Sequence, residues 1–165
     1  MLLAFAGWTV LCNCLRAKVR IAVNVILFCV SAAIILHATL LSRTPGTYAA
    51  VLTPFAALAA ARQQPELYRE MLMNVFLFFP LGLTMSNALP RKWHRWLRIA
   101  LTALTSCVLS AGIEYAQYRF ALGMAETDDV ICNTLGAFVG ASSLLLAHAM
   151  EKHKERPTTM TLTAT

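Results

Sequence analysis

Charge is almost absent from four stretches of this chain, and that segregation constrains the fold more than any other feature. The windows 21–41, 71–89, 99–118 and 130–150 are each about twenty residues long, and Glu114 is the one charged side chain inside them. A helix of about 20 apolar residues crosses the ~30 Å hydrocarbon core of a bilayer. The rest of the 14 Lys and Arg and 8 Asp and Glu lie between or beyond the windows. With 58% apolar and 13% charged residues the chain lacks the polar surface a soluble domain needs. The expected fold class is therefore all-α: a polytopic membrane helix bundle of four transmembrane helices.

Two shorter apolar stretches complete the plan. Residues 1–15 are uncharged but short for a span, and no basic region precedes them as a signal peptide would require. They are expected to form a short N-terminal fifth helix, interfacial or tilted. Residues 48–61 are uncharged but interrupted by Pro54, and are expected to be a re-entrant or interfacial segment. The organisation is an apolar and basic N-terminal segment at 1–20, a transmembrane domain at 21–150, and a disordered tail at 151–165.

Lys and Arg set the expected orientation. They gather at 16–20, 91–98 and 152–156, with only Arg43, Arg62, Arg69 and Arg119 on the other side. The positive-inside rule then places the 90–98 loop and the C-terminus in the cytoplasm, with Trp93 and Trp96 in an interfacial belt. The same asymmetry accounts for the net charge of +6 without nucleic acid as a partner. The five cysteines are odd in number and form no CxxC pair, so they read as small apolar filler.

Polar residues inside a bilayer are costly, and their depth is informative. In this orientation His37, Asn74, Glu114, Gln117 and Asn133 all fall within roughly 6 Å of the outer interface, at 1.5 Å per helical residue. Thr102, Ser106, Ser110 and Glu114 recur every four residues on the third span, with Gln117 on the same face. Such a stripe must face other helices. Glu126, Asp128 and Asp129 precede the fourth span. Asp128 and Asp129 are candidate helix caps, or oxygen ligands for a divalent cation. Gly136 and Gly140 form a GxxxG, which serves packing within the bundle or a homo-oligomer contact. Glu114 is the central candidate, because a carboxylate in a span costs on the order of 2.5–3.5 kcal/mol and requires compensation. Proton uptake, a hydrogen bond from Gln117 or Asn74, pairing with Arg119, or a cation would each supply it.

Three motifs carry a resemblance. They are Asn74-Val-Phe-Leu-Phe-Phe-Pro-Leu-Gly82, Ser110-Ala-Gly-Ile-Glu-Tyr-Ala-Gln117 and Asp129-Val-Ile-Cys-Asn-Thr-Leu-Gly136, preceded by Pro54-Phe55. In that order they resemble the VanZ-like family over roughly residues 21–148. The resemblance implies an integral protein of a bacterial cytoplasmic membrane, in a family named for a protein associated with teicoplanin resistance. Members of that family often carry an Arg six residues after the Gln and an acidic residue three later. Here those positions are Gly123 and Glu126, and Arg119 is the expected substitute.

Two main functional readings follow. In the first, the protein binds or modifies an envelope amphiphile, such as a lipid or lipoglycopeptide, at the extracytoplasmic face. Asn74, Glu114, Gln117, Glu126, Asp128, Asp129 and Asn133 would be its binding candidates, and Glu114 the candidate acid or base. In the second, it is a non-enzymatic structural or partner protein whose polar groups are interhelical clasps. A small transporter is a weaker third, since one intramembrane charge makes no relay. A Ser110, His37 and Glu114 triad can be drawn, but no nucleophile set stands out. The sequence inclines against an enzyme, and no cofactor is expected beyond a divalent cation.

Overall fold

The computed structural model describes residues 2–46, 48–61 and 63–155. Arg62 and the tail from 156 onward lie outside the described residues. Helix α1 covers Leu2–Cys14 and α2 covers Ala17–Leu36, extended by a π-helical turn at His37–Leu41. Strand β1 (Ala49–Val51) and the short helix α3 (Ala56–Ala60) follow, then α4 (Pro65–Ala88) and α5 (Arg95–Arg119). Strand β2 (Met124–Glu126), α6 (Thr127–Ala141) and α7 (Ser143–Glu155) complete the chain.

Four helical segments are long and apolar enough to cross a membrane: Ala17–Leu41, Pro65–Ala88, Arg95–Arg119 and Thr127–His153. They match the four expected windows but start earlier. Helix α4 begins at Pro65, whose missing N–H costs nothing in the first turn, with Glu66 at the positive end of the helix dipole. The fourth span joins α6 to α7 through Ser142, whose hydroxyl bonds back to the Phe138 carbonyl at 2.8 Å. Helix α7 runs on to Glu155, so residues 151–155 of the expected tail are helical, and its remainder lies outside the described residues. Helix α1 is a single 13-residue helix packed along α7. It is shorter than a span.

Helices α4 and α6 form the tightest contact in the bundle, and glycine creates it. A methyl group placed on Gly136 would lie 2.1 Å from the Val75 carbonyl oxygen, and one on Gly140 would lie 2.2 Å from that of Phe79. Gly82 reciprocates, 2.1 Å from the Ala137 oxygen. The backbones therefore touch, as small residues permit where dispersion rather than hydrophobicity drives association. The Gly136 and Gly140 face is filled by α4 of the same chain, so a homo-oligomer would have to use another surface. Beside this seam, Ile35, Phe78, Leu81, Ile113 and Ala137 form the main core, and Ile99, Ala141 and Leu144 a second. Large apolar side chains such as Ile26, Leu104 and Val108 point outward, as lipid-facing residues must.

The loops at one end are built, not slack. Helix α5 ends in a Schellman turn: the Leu122 N–H bonds the Gln117 carbonyl at 2.8 Å and the Ala121 N–H that of Tyr118 at 3.3 Å, with Ala121 left-handed at φ 52°. The chain then enters β2, which pairs in parallel with β1 in the register Ala49 to Met124, Ala50 to Ala125 and Val51 to Glu126. The segment 48–61, expected to be re-entrant or interfacial, is thus a strand, a turn and a short helix resting on α4 and α6.

Candidate functional site

The small-residue stripe of α5 is buried along its length: Thr102, Ser106 and Ser110 are fully covered, and Glu114 is 8% exposed. Glu114 sits where α5 passes under the strand pair. Its Oε2 accepts the backbone N–H of Glu126 at 3.0 Å, and the charge of Arg43 acts on it favourably. The expected partners are corrected here. Gln117 turns away and donates to the Thr39 carbonyl at 3.0 Å in the π-helical turn, and Asn74 donates to Asp129 Oδ1 at 2.7 Å. Arg119 is exposed.

Asn133 donates to Ser110 at 2.9 Å, tying α6 to α5. The Asn133 Oδ1 and Gln117 Oε1 oxygens are buried and make no hydrogen bond among the described residues. Asp128 is buried and caps α3, the short helix before α4, rather than α6 itself. Its two oxygens accept the N–H groups of Phe55 at 2.5 Å and Ala57 at 2.7 Å. Phe55 is left-handed at φ 63°, an unfavourable conformation for an aromatic residue, and the carboxylate fixes it there. Each Asp128 oxygen thus accepts one backbone N–H from the start of α3. Among the described residues no group of three or more His, Cys, Asp or Glu is placed to hold a metal ion. The drawn triad does not form either: Ser110 serves Asn133, and His37 is exposed.

The residue that sequence reasoning missed is Arg43. Counted only as an outer-side charge, it lies against Gly123: a methyl group on Gly123 would be 2.4 Å from an Arg43 guanidinium nitrogen. Gly123 also has φ 149°, which a side chain rarely adopts. Arg43 therefore takes the space that a side chain at 123 would enter, and its charge acts on Glu114, Glu126 and Asp129. Absence of a side chain at 123 was the available signal.

Two cavities flank this group. One, of about 470 Å³, has mostly apolar walls that include Leu52, Ala111, Tyr115 and Tyr118, with Glu114 and Glu126 at its lining. The other, of about 410 Å³, is lined by Arg43, Arg69, Glu70, Met73, Asn74 and Asp129.

Burial raises the pKa of Glu126, and the charges of Asp129, Asp128 and Glu70 raise it further, while Arg43 opposes the shift. The folded chain then binds this proton more tightly than the unfolded chain. Its contribution to stability is present at acid pH and is lost as pH rises through the raised pKa. Thermal melts of the detergent-solubilised protein should fall over that window, and Glu126→Gln should flatten the slope. An unchanged slope would assign it to other groups.

These helices and loops define a small polytopic membrane protein with one elaborated, polar end. The family model VanZ/LLP1 matches residues 19–148, and the chain belongs to that family. Protein VanZ of Enterococcus faecium is 36% identical over 89 residues, which cover 54% of this chain and 48% of that protein. The chain thus spans about half the length of the curated relative it matches. No solved structure matches it significantly.

Proposed function

We propose that this protein binds or modifies an envelope amphiphile of the lipoglycopeptide type at the extracytoplasmic face of the bacterial membrane. The observation that carries the reading is the apolar cavity between α5 and the strand pair, which takes in two carboxylates and adjoins the Arg43 cavity. An apolar tail fits the Tyr115 and Tyr118 side, and a polar head group would meet Glu114, Glu126 and Arg43. In the positive-inside orientation this end would face outside, where teicoplanin-type agents act, and membership of the VanZ/LLP1 family supports the reading. Glu114 is the binding group of this reading and the candidate acid or base if the ligand is modified.

The test is a susceptibility panel of lipidated envelope agents on cells expressing wild type or Glu114→Ala, with membrane levels matched by immunoblot. Removing one partner of a buried charged contact costs about 2–5 kcal/mol of binding, so protection should be almost wholly lost. Equal protection by both proteins would sink the proposal.

A second reading, a non-enzymatic structural or partner protein, draws on the bonds that Glu114, Asn74, Asn133 and Asp128 each make within the chain. Under it Glu114→Gln lowers the melting temperature in lipid. Under the first it removes protection with stability retained.

A further inference from the structure

At the end of the bundle opposite the Glu114 region, arginines converge with no ion-paired carboxylate among the described residues. A cavity of about 310 Å³ is lined by Arg91, Arg95 and Arg98 together with Asn13, Leu144, His148 and Glu151. Arg20 stands close enough for its charge to act on Arg98, as do those of Arg91 and Arg95. Arg20 and Arg98 are 3% and 6% exposed, a position that such a cation holds only when compensated.

The compensation within the chain is small. Arg98 donates from Nε and Nη2 to the Ser86 carbonyl at 3.1 and 2.5 Å. Arg20 donates to the carbonyls of Asn87 and Leu89. Arg91 donates to the Cys12 carbonyl at 2.6 Å and to Asn13. These acceptors are the C-terminal ends of α4 and α1, and a helix terminus supplies only about half a negative charge. Among the described residues no carboxylate lies within ion-pair distance of the four arginines. Glu151, the one acid at the cavity, bonds to Asn13 at 2.9 Å instead. Arg20 Nε is buried with no hydrogen-bond partner. Arg95 makes no described hydrogen bond and is half-buried at the cavity wall.

We propose that this cavity binds the phosphate of an anionic glycerophospholipid from the adjacent leaflet, the cytoplasmic one in the positive-inside orientation. Guanidinium groups match phosphate oxygens in planar, bidentate geometry, and basic pockets between membrane helices on the cytoplasmic side suit such head groups. Leu144 gives the glycerol end an apolar wall, and the exposed Trp96 near the same helix start marks the interface. The bound phosphate would tie α1, the start of α5 and α7 together, since each contributes to the lining.

The test uses the full chain in detergent, with bound lipid read by native mass spectrometry and stability by thermal melts. Phosphatidylglycerol should be retained and should raise the melting temperature, while phosphatidylcholine of the same acyl chains should do neither. Arg95→Glu should weaken phosphatidylglycerol binding about thirtyfold, from two charges' worth of attraction, and Arg95→Lys should restore most of it. Arg95→Gln, a milder change at a side chain that holds no other group, serves if Arg95→Glu does not fold. Equal retention of the two lipids, or undiminished phosphatidylglycerol binding by the folded Arg95→Glu or Arg95→Gln variant, would overturn the proposal. So would stabilisation by inorganic phosphate or glycerol phosphate equal to that by the lipid, which would give the cavity to a soluble anion.

Discussion

Gly136→Val should leave little folded protein in the membrane. The first added carbon would lie 2.1 Å from the Val75 oxygen and 2.9 Å from its carbonyl carbon. Both are backbone atoms of α4, so no rotamer change relieves the overlap. Overpacking a core commonly costs about 1–3 kcal/mol when side chains can adjust, and here two helices must separate. Gly82 and Gly140 hold the same seam, so separation at one level loosens the others. Total stabilities are about 5–15 kcal/mol, and a loss at or above the top of the overpacking range should appear as low accumulation and a sharply lower melting temperature in detergent. Gly112→Ala is the internal control. It lies on α5 with nothing within 4 Å of the added methyl, and should behave as wild type. Equal tolerance of both substitutions would mean that α4 and α6 are not in backbone contact.

Asp128→Ala should release the segment before α4 while leaving the bundle intact. The side chain holds two backbone N–H groups, at Phe55 and Ala57. Hydrogen bonds to a charged group contribute about 1.5–3 kcal/mol each. A helix as short as α3 has no stability of its own, and Phe55 would leave its left-handed conformation. Amide hydrogen exchange at 55–61 should accelerate about a hundredfold or more, as loss of roughly 3 kcal/mol requires, with α4 and α6 protected as before. Because Ala50 and Leu52 line the apolar cavity beside Glu114, ligand binding should weaken with it. Unchanged exchange at 55–61 would show that packing on α4 and α6 suffices to hold the segment.

What the sequence made legible was the membrane architecture, because charge segregation depends only on composition along the chain. The α5 stripe was legible for the same reason: a four-residue repeat of small polar groups has one geometrical meaning on a helix. The start of α4 was not, since Glu66, Arg69 and Glu70 are helical without being apolar, and a hydropathy window ends where charge begins. The strand pair was hidden because Ala49–Val51 and Met124–Glu126 are too short to alternate. Glu114 was found through its cost, but its partner is a backbone N–H that no side-chain pattern announces. At the other end, Asn24 and Asn87 stood in the spans as visibly as Asn74 and Asn133. They mark the cluster where Asn24 bonds Arg20's carbonyl at 2.9 Å and Asn87 bonds Leu83's. That cluster was passed over because its arginines read as topology signals alone.

The contact between Arg43 and Gly123 makes two positions far apart in the chain answer to each other. A side chain at 123 is disfavoured twice over: an Arg43 guanidinium nitrogen stands where its first carbon would lie, and the backbone there holds a conformation that side chains rarely adopt. Nor can Arg43 be lost freely, since it is the cation acting on Glu114, Glu126 and Asp129. Any side chain introduced at 123 therefore calls for two adjustments at once, a displaced Arg43 and a re-bent loop.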